Sequence, residues 1–298
     1  MSPGTTSIVN IDANFKRQVL GFFMTTDPNI RLNHVLSRRT EKTGLWLDKL
    51  LELQNWHSTP GSSIWLTGIP GSGKTTLSSL IVQEALCRGS RKVGVAYFYG
   101  CFTETQSAVT VISTLVSQLA RQNDEAYEAL CVYYKSLHRR HGLPNAIGRV
   151  PTTDRLVGLF QEISECFEQV YIIIDGLDEC DRDVVGILPD ISGPGTNVSM
   201  AVLSRDQCDI RCSFSENIPG FSIINIEAQD KDVMTFVEHV VTNHHRLQRL
   251  PVSLKQAVRA SLTTHWNGMY VPGSGLTNRQ LCRVNSERLT ILLLGSCG

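Results

Sequence analysis

Charge of one sign is in no excess: 28 lysines and arginines face 28 aspartates and glutamates, so no net field steers the chain to nucleic acid or an acidic membrane. Apolar runs are short, and the longest candidate, Leu292–Leu294 with its neighbours, falls far below the length that spans a bilayer. The opening MSPGTTSIVNIDANFKRQ has no apolar core behind a basic start, so no secretory signal is expected. The nine cysteines are odd in number and lack C-x-x-C spacing; Cys208 and Cys212 have no second close pair. A reducing compartment, and with it a cytoplasmic location, is the expectation. No repeat period occurs, which excludes solenoid arrays. The basic cluster Lys135, Arg139 and Arg140, with His138 and His141, reads as a solvated helix end.

What is present starts with size: 298 residues at 42% hydrophobic content allow one large domain or two ordinary ones with a substantial core. The chain is organised around residues 62–76, SSIWLTGIPGSGKTT. Gly68, Ile69, Pro70, Gly71, Ser72, Gly73, Lys74 and Thr75 fit the phosphate-binding pattern G-x-x-x-x-G-K-[ST] at every fixed position. Ile64, Trp65 and Leu66 make an apolar strand before it. After it, Thr76 to Leu86 reads as a helix with Leu77, Leu80, Ile81 and Ala85 on one face.

Backbone N–H groups must wrap round phosphate oxygens, and side chains at Gly68, Gly71 and Gly73 are expected to block that approach. The loop feeds a helix N-terminus, where unpaired N–H groups favour an anion. In this pattern Lys74 reaches the β and γ phosphates and the Thr75 hydroxyl holds Mg²⁺, with Thr76 also at the nucleotide.

Along the rest of the chain, residues 1–36 read as a tail joined to a short helix near Phe15 to Phe23, and residues 44–56 as a helix. Lys92 to Tyr99 is a β-prone run. Ala108, Val111, Ile112, Leu115 and Leu119 mark an amphipathic helix, residues 141–151 a loop, and Asp154 to Phe167 another helix. Val170–Ile174, Val198–Leu203 and Phe221–Ile226 read as strands, Asp230 as the N-cap of a helix carrying Val233, Val237, Val240 and Val241, and Pro251 as the start of a helix to about Trp266. Strands alternating with helices predict an α/β fold, a three-layer αβα sandwich with a parallel sheet and a small helical segment after it. The expected division is 1–36, 37–226, 227–270 and an atypical tail, 271–298.

In such a sheet ligands sit at the carboxyl ends of the strands. Tyr171, Ile172, Ile173 and Ile174 run straight into Asp175, Gly176, Leu177, Asp178 and Glu179. An apolar strand delivering a carboxylate beside bound Mg²⁺ is the Walker B arrangement: Asp175 holds the metal or its water, and Asp178 or Glu179 orients an attacking water. The strand Val198–Leu203 ends in Ser204 and Arg205. Many such arginines only cap a surface, but a cation there can also reach a γ-phosphate.

With GIPGSGKT, YIIIDGLDE and VLSRDQCDI in place, and EKTGLWL and AYFY upstream and between, the chain resembles the NACHT domain of STAND P-loop NTPases, especially those of filamentous fungi, over about residues 27–270. The resemblance implies an ATP/ADP and Mg²⁺ site, slow hydrolysis, a signalling switch, and association with itself or with other NLR-like proteins. It also implies a sensor role for Arg205 and places Thr43 and Gly44 near the nucleotide base. Asn267–Tyr270 match the family's GMF-type motif, but VPGSGLTNRQLCRVNSERLTILLLGSCG follows where an aromatic-rich helix belongs, and no winged helix or ankyrin or WD40 repeats appear. The expectation is therefore a shortened switch with readily exchanged nucleotide, exposed apolar stripes and a tendency to self-associate. The alternatives are a non-catalytic fragment or decoy, a GTPase, against which no N-K-x-D guanine-reading run occurs, and a small-molecule kinase, for which no acceptor-site motif is evident.

Overall fold

The computed structural model describes residues 4–24, 26–101, 106–138, 150–227, 229–243, 245–249, 251–256 and 259. Helices α1 (Gly4–Phe23), α2 (Pro28–Arg38) and α3 (Leu51–Ser58) precede strand β1 (Ser63–Thr67) and helix α4 (Lys74–Arg88). Next come β2 (Val93–Tyr99), α5 (Ala108–Ala120), α6 (Asp124–His138) and α7 (Thr153–Ser164). β3 (Gln169–Asp175), α8 (Arg182–Ile191), β4 (Val198–Ser204), α9 (Cys208–Asn217) and β5 (Ser222–Asn225) complete the sheet region, and α10 (Asp230–Asn243) and α11 (His245–Gln248) follow. The five strands are parallel in the order β2-β3-β4-β1-β5.

Strand period 2 divides the core. Val170, Ile172 and Ile174 of β3 face one layer with α1 and α5 to α9, while Tyr171 and Ile173 face the other with α2, α3 and α4. Both sheet faces are thus covered, which is why β3 reads as a continuous apolar run and not as an alternating one. The result is the expected three-layer α/β sandwich with helices after its last strand.

Several elements differ from their sequence patterns. The N-terminal tail is two helices: α1 buries Val19, Leu20 and Phe23, and α2 opens with Asp27 accepting from the Asn29 N–H and Pro28 in the first turn. Residues 44–56 split into a 3-10 turn, Leu47–Lys49, and α3. Helices α8 and α9 have no counterpart in the pattern reading, and of α6 only its end at the Lys135–His138 cluster was read. α9 buries only Ile210 and Phe214, so its periodic signal is weak; α8 buries Val184, Ile187, Leu188 and Ile191 at helical spacing around Pro189, and α6 buries Ala126, Leu130, Cys131, Tyr133, Tyr134 and Leu137, faces that were there to be read. The expected loop over 141–151 falls mostly outside the described residues, as do the end of the helix after Pro251, Asn267–Tyr270 and the tail. No helix among the described residues is long and apolar enough to cross a membrane.

β2 lies at a sheet edge, yet its outer backbone is paired. The Gln118 side chain accepts from the Tyr97 N–H at 3.2 Å and donates to its carbonyl at 2.8 Å; Gln122 does the same for Val95 at 3.0 and 2.7 Å. Gln118→Leu leaves the buried Tyr97 N–H and C=O without these partners, and we expect a loss of about 2–4 kcal/mol, larger than for Gln122→Leu. Urea unfolding at constant m-value measures it; two losses below about 0.5 kcal/mol would show that the edge needs no such cover.

Candidate functional site

β1 ends at Thr67 and hands the chain to the glycine-rich loop, whose glycines serve two different ends. Gly71 and Gly73 take positive φ, 79° and 92°, a left-handed backbone that suits glycine. At Gly68 the limit is internal packing: a Cβ there would lie 2.6 Å from both the Ile226 carbonyl oxygen and Ser72 Oγ. The expectation that all three keep a phosphate approach clear is thus corrected for Gly68. Helix α4 begins at Lys74 behind Gly73 with no side-chain cap, so no side chain takes up its first-turn amides. Lys74 Nζ donates back to the Gly68 and Ile69 carbonyls at 2.7 and 2.9 Å. Burial lowers the Lys74 pKa, opposed by Asp178 and Asp175.

The acids arrive two strands away, because β4 lies between β1 and β3. Asp175, the last residue of β3, is 6% exposed. Desolvation pushes its carboxyl to about 7, with Glu179 adding to the rise and the Thr75 hydrogen bond and Lys74 opposing it. Asp178 has a different environment. Its side chain is 3% exposed, Oδ1 accepts the Arg205 N–H at 3.1 Å, and Oδ2 lies 3.3 Å from Arg205 Nε in an ion pair outside hydrogen-bond alignment. The end of β4 is itself tied down: buried Trp65 Nε1 donates to Ser204 Oγ at 2.8 Å, and that hydroxyl donates to the Arg205 carbonyl at 2.8 Å.

These groups meet in one cavity of about 280 Å³, where Pro70, Gly71, Gly73, Lys74, Thr75 and Thr76 from the loop face Asp175, Asp178, Glu179 and Arg205. Arg31 of α2 lines the same cavity, and the sequence reading missed it. The one local signal for it, an Asp-Pro helix start at Asp27–Pro28, went unread and does not tell where the first turns dock. Thr43 and Gly44 line a second, smaller pocket on the other flank of the loop, with Ser72, Gly73, Thr76 and Leu77. Asp232 of α10 closes it: Oδ2 accepts from the Gly44 N–H at 2.8 Å and from Trp46 Nε1 at 3.1 Å. The Thr43 hydroxyl is buried and donates to the Thr40 carbonyl at 2.7 Å, and Arg39 Nη1 donates to the Thr43 carbonyl at 2.8 Å.

A buried carboxyl with a raised pKa makes a testable demand on the fold. The folded state holds a proton that the unfolded chain releases at ordinary aspartate pH. The contribution of Asp175 to stability is therefore full below its unfolded pKa and lost as pH rises through about 7. In metal-free buffer Asp175→Asn is expected to be more stable than wild type at pH 8 by about 1–3 kcal/mol, a gap that closes toward pH 5. Urea unfolding at both pH values reads it. A destabilised variant at pH 8 would show that Lys74 and Thr75 fully compensate the charge.

A family model described as Nephrocystin 3, N-terminal matches residues 42–205, a stretch that holds the loop, the acid strand and Arg205. No curated protein matches the chain. Among solved structures, Cdc6p from Pyrobaculum aerophilum is 12% identical with a TM-score of 0.45, over 78% of this chain and 57% of that one. This chain therefore spans little more than half the length of that protein. A Walker-type ATPase of Pyrococcus abyssi is 11% identical with a TM-score of 0.47, over 86% and 75% of the two chains. The Drosophila ORC bound to DNA is 13% identical with a TM-score of 0.47, over 86% and 67%. Likenesses this distant leave the weight on the parallel sheet and the loop geometry, which make this a P-loop NTPase fold. The resemblance to NACHT domains is not what the matching family is described as. With more than half of its length matched, the chain belongs to the Nephrocystin 3, N-terminal family.

Proposed function

We propose that this protein binds ATP and ADP with Mg²⁺, hydrolyses ATP slowly, and works as a NACHT-type signalling switch. The observation that carries this reading is the convergence of Lys74, Thr75, Asp175, Glu179 and Arg205 on one cavity at the carboxyl edge of a parallel sheet. In this reading residues 37–226 form the nucleotide-binding unit, residues 227–270 are a helical addition, and the location is cytoplasmic.

Lys74 exchanges its two carbonyl partners for β and γ oxygens, and the first amides of α4 bind the same phosphates. A threonine hydroxyl and a buried carboxylate in the wall of one cavity suit a hard cation that keeps most of its water, so Thr75 and Asp175 fit Mg²⁺. Bound there, Mg²⁺ would offset the negative charge of the β and γ phosphates. The two acids that followed Asp175 in the sequence separate in role. Asp178 pairs with Arg205, and Glu179, in the wall of the same cavity, is the acid we assign to orienting the attacking water. A γ-phosphate then competes with Asp178 for Arg205, and the exchange of one anion for another is how the chain would register triphosphate. Thr43, Gly44 and the pocket beside them take the base. Association with itself or with other NLR-like proteins is the output in this reading.

Lys74→Ala is expected to weaken ATP binding at least about a hundredfold in a calorimetric titration, since one charge and its bonds leave a site built around them. Unchanged affinity would remove the site. Glu179→Gln should bind ATP as wild type does while single-turnover hydrolysis slows about a hundredfold or more; a normal rate would assign the water to another group. ATP should displace a bound fluorescent nucleotide at lower concentration than GTP. Equal displacement favours the GTPase reading.

A further inference from the structure

Arg31 belongs to neither strand-end motif, yet it stands in the wall of the phosphate cavity. α2 packs on α4 and on β2, with Leu32 buried in the core on that face and the Tyr97 hydroxyl donating to Asn29 Oδ1 at 2.5 Å. These contacts hold the first turns of α2 over the carboxyl half of β2. Because β2 and β4 flank β3, Arg31 and Arg205 approach the end of β3 from opposite sides.

Three features set Arg31 apart from the other cations of the cavity. Lys74 is held by two loop carbonyls and Arg205 is engaged with Asp178. Among the described residues Arg31 makes no hydrogen bond or ion pair, and its side chain is exposed. It also sits near the start of a helix, where a cation opposes the helix dipole and costs a few tenths of a kcal/mol. A residue that breaks a local rule without a structural gain is where function is to be sought. Finally, Arg31 shares the cavity wall with Thr75 and with Asp175, whose raised carboxyl pKa its charge opposes, while Thr43 and Gly44 line the other pocket.

We propose that Arg31 contacts the terminal phosphate of a bound nucleoside triphosphate, so that α2, a helix upstream of the phosphate loop, is fastened when triphosphate is bound and released with diphosphate. This rests on the nucleotide reading of the cavity given above. A guanidinium on each side of β3 grips the γ-phosphate, one carried on the sheet and one on a separate helix. Only the second can transmit the grip to the N-terminal segment, since α1 joins α2 through a short link after Phe23.

The test uses the full chain with a non-hydrolysable ATP analogue and with ADP, each titrated against wild type, Arg31→Ala, Arg31→Lys and Lys74→Ala. Arg31→Ala is expected to weaken analogue binding by about tenfold to a hundredfold while ADP affinity changes by less than about twofold, with unaltered thermal unfolding; Arg31→Lys falls between. In wild type, amides of α2 should exchange more slowly with the analogue than with ADP, and that difference should vanish in Arg31→Ala. Equal loss of both nucleotides, or no loss of either, overturns the proposal, as does α2 exchange that ignores the γ-phosphate. If Lys74→Ala also binds like wild type, the nucleotide reading itself has failed; if only Lys74→Ala loses binding, Arg31 alone is misassigned. Should the alanine variant misfold, Arg31→Lys and Arg31→Gln carry the same comparison.

Discussion

Three parallel strands in hydrogen-bond contact set the distances in this site. β4 pairs on one side with β1 and on the other with β3, in a register that brings Thr67 level with Ser204 and Leu203 level with Asp175. Adjacent strands stand about 4.8 Å apart, so the loop after β1 and the acid after β3 are separated by one strand's width on each side of Arg205. A cation between a phosphate loop and an acid cluster is therefore a product of strand order, not of local sequence. The Trp65–Ser204 bond reinforces that order where it matters, because it ties β1 to the last residue of β4.

Within that frame, charge is arranged so that neighbours answer one another. Asp175 is buried and pushed toward neutrality, with Thr75 and Lys74 opposing the shift. Asp178 has a buried side chain too, but it lies against a guanidinium whose side chain is 43% exposed. Two carboxylates three residues apart thus differ in what they can release. One is coupled to the loop, the other to the cation at the end of β4. A pair whose environments diverge in this way is better suited to separate tasks than to a shared one.

Sequence alone carried the parts of the site that are contiguous. The glycine loop, the strand into Asp175, Arg205 and the alternation of strands and helices were legible because each motif is written within a few residues and its chemistry needs that spacing. What escaped depends on distance along the chain. Asp232 meets Gly44 and Trp46 from about 190 residues away, and Arg31 reaches its wall only because α2 docks on β2 and α4; no window of sequence holds both partners. Of the N-terminal helices only the part of α1 near Phe15 to Phe23 was read; α2 escaped for a related reason, since its short apolar face answers to α4 and β2 and its period carries little information before the neighbours are known. Gly68 was correctly chosen for the wrong reason, since its limit is a carbonyl on the strand-exit segment after β5.

The two glutamines along β2 work as a vernier. One helical step of four residues advances about 6.0 Å, while the strand step of two residues it must match advances about 6.6 Å, so the scales agree at Gln122 and Gln118 and drift apart beyond them. The next residue in the series is Thr114, opposite Tyr99, and its hydroxyl turns to the Thr110 carbonyl of its own helix. Threonine has neither the reach nor the paired donor and acceptor of glutamine, so the imitation strand ends one step short of the sheet's carboxyl rim. The small drift between the two scales leaves room for the ladder to go on; it is the change of residue at Thr114 that stops the seal before Gly100, which lines the cavity.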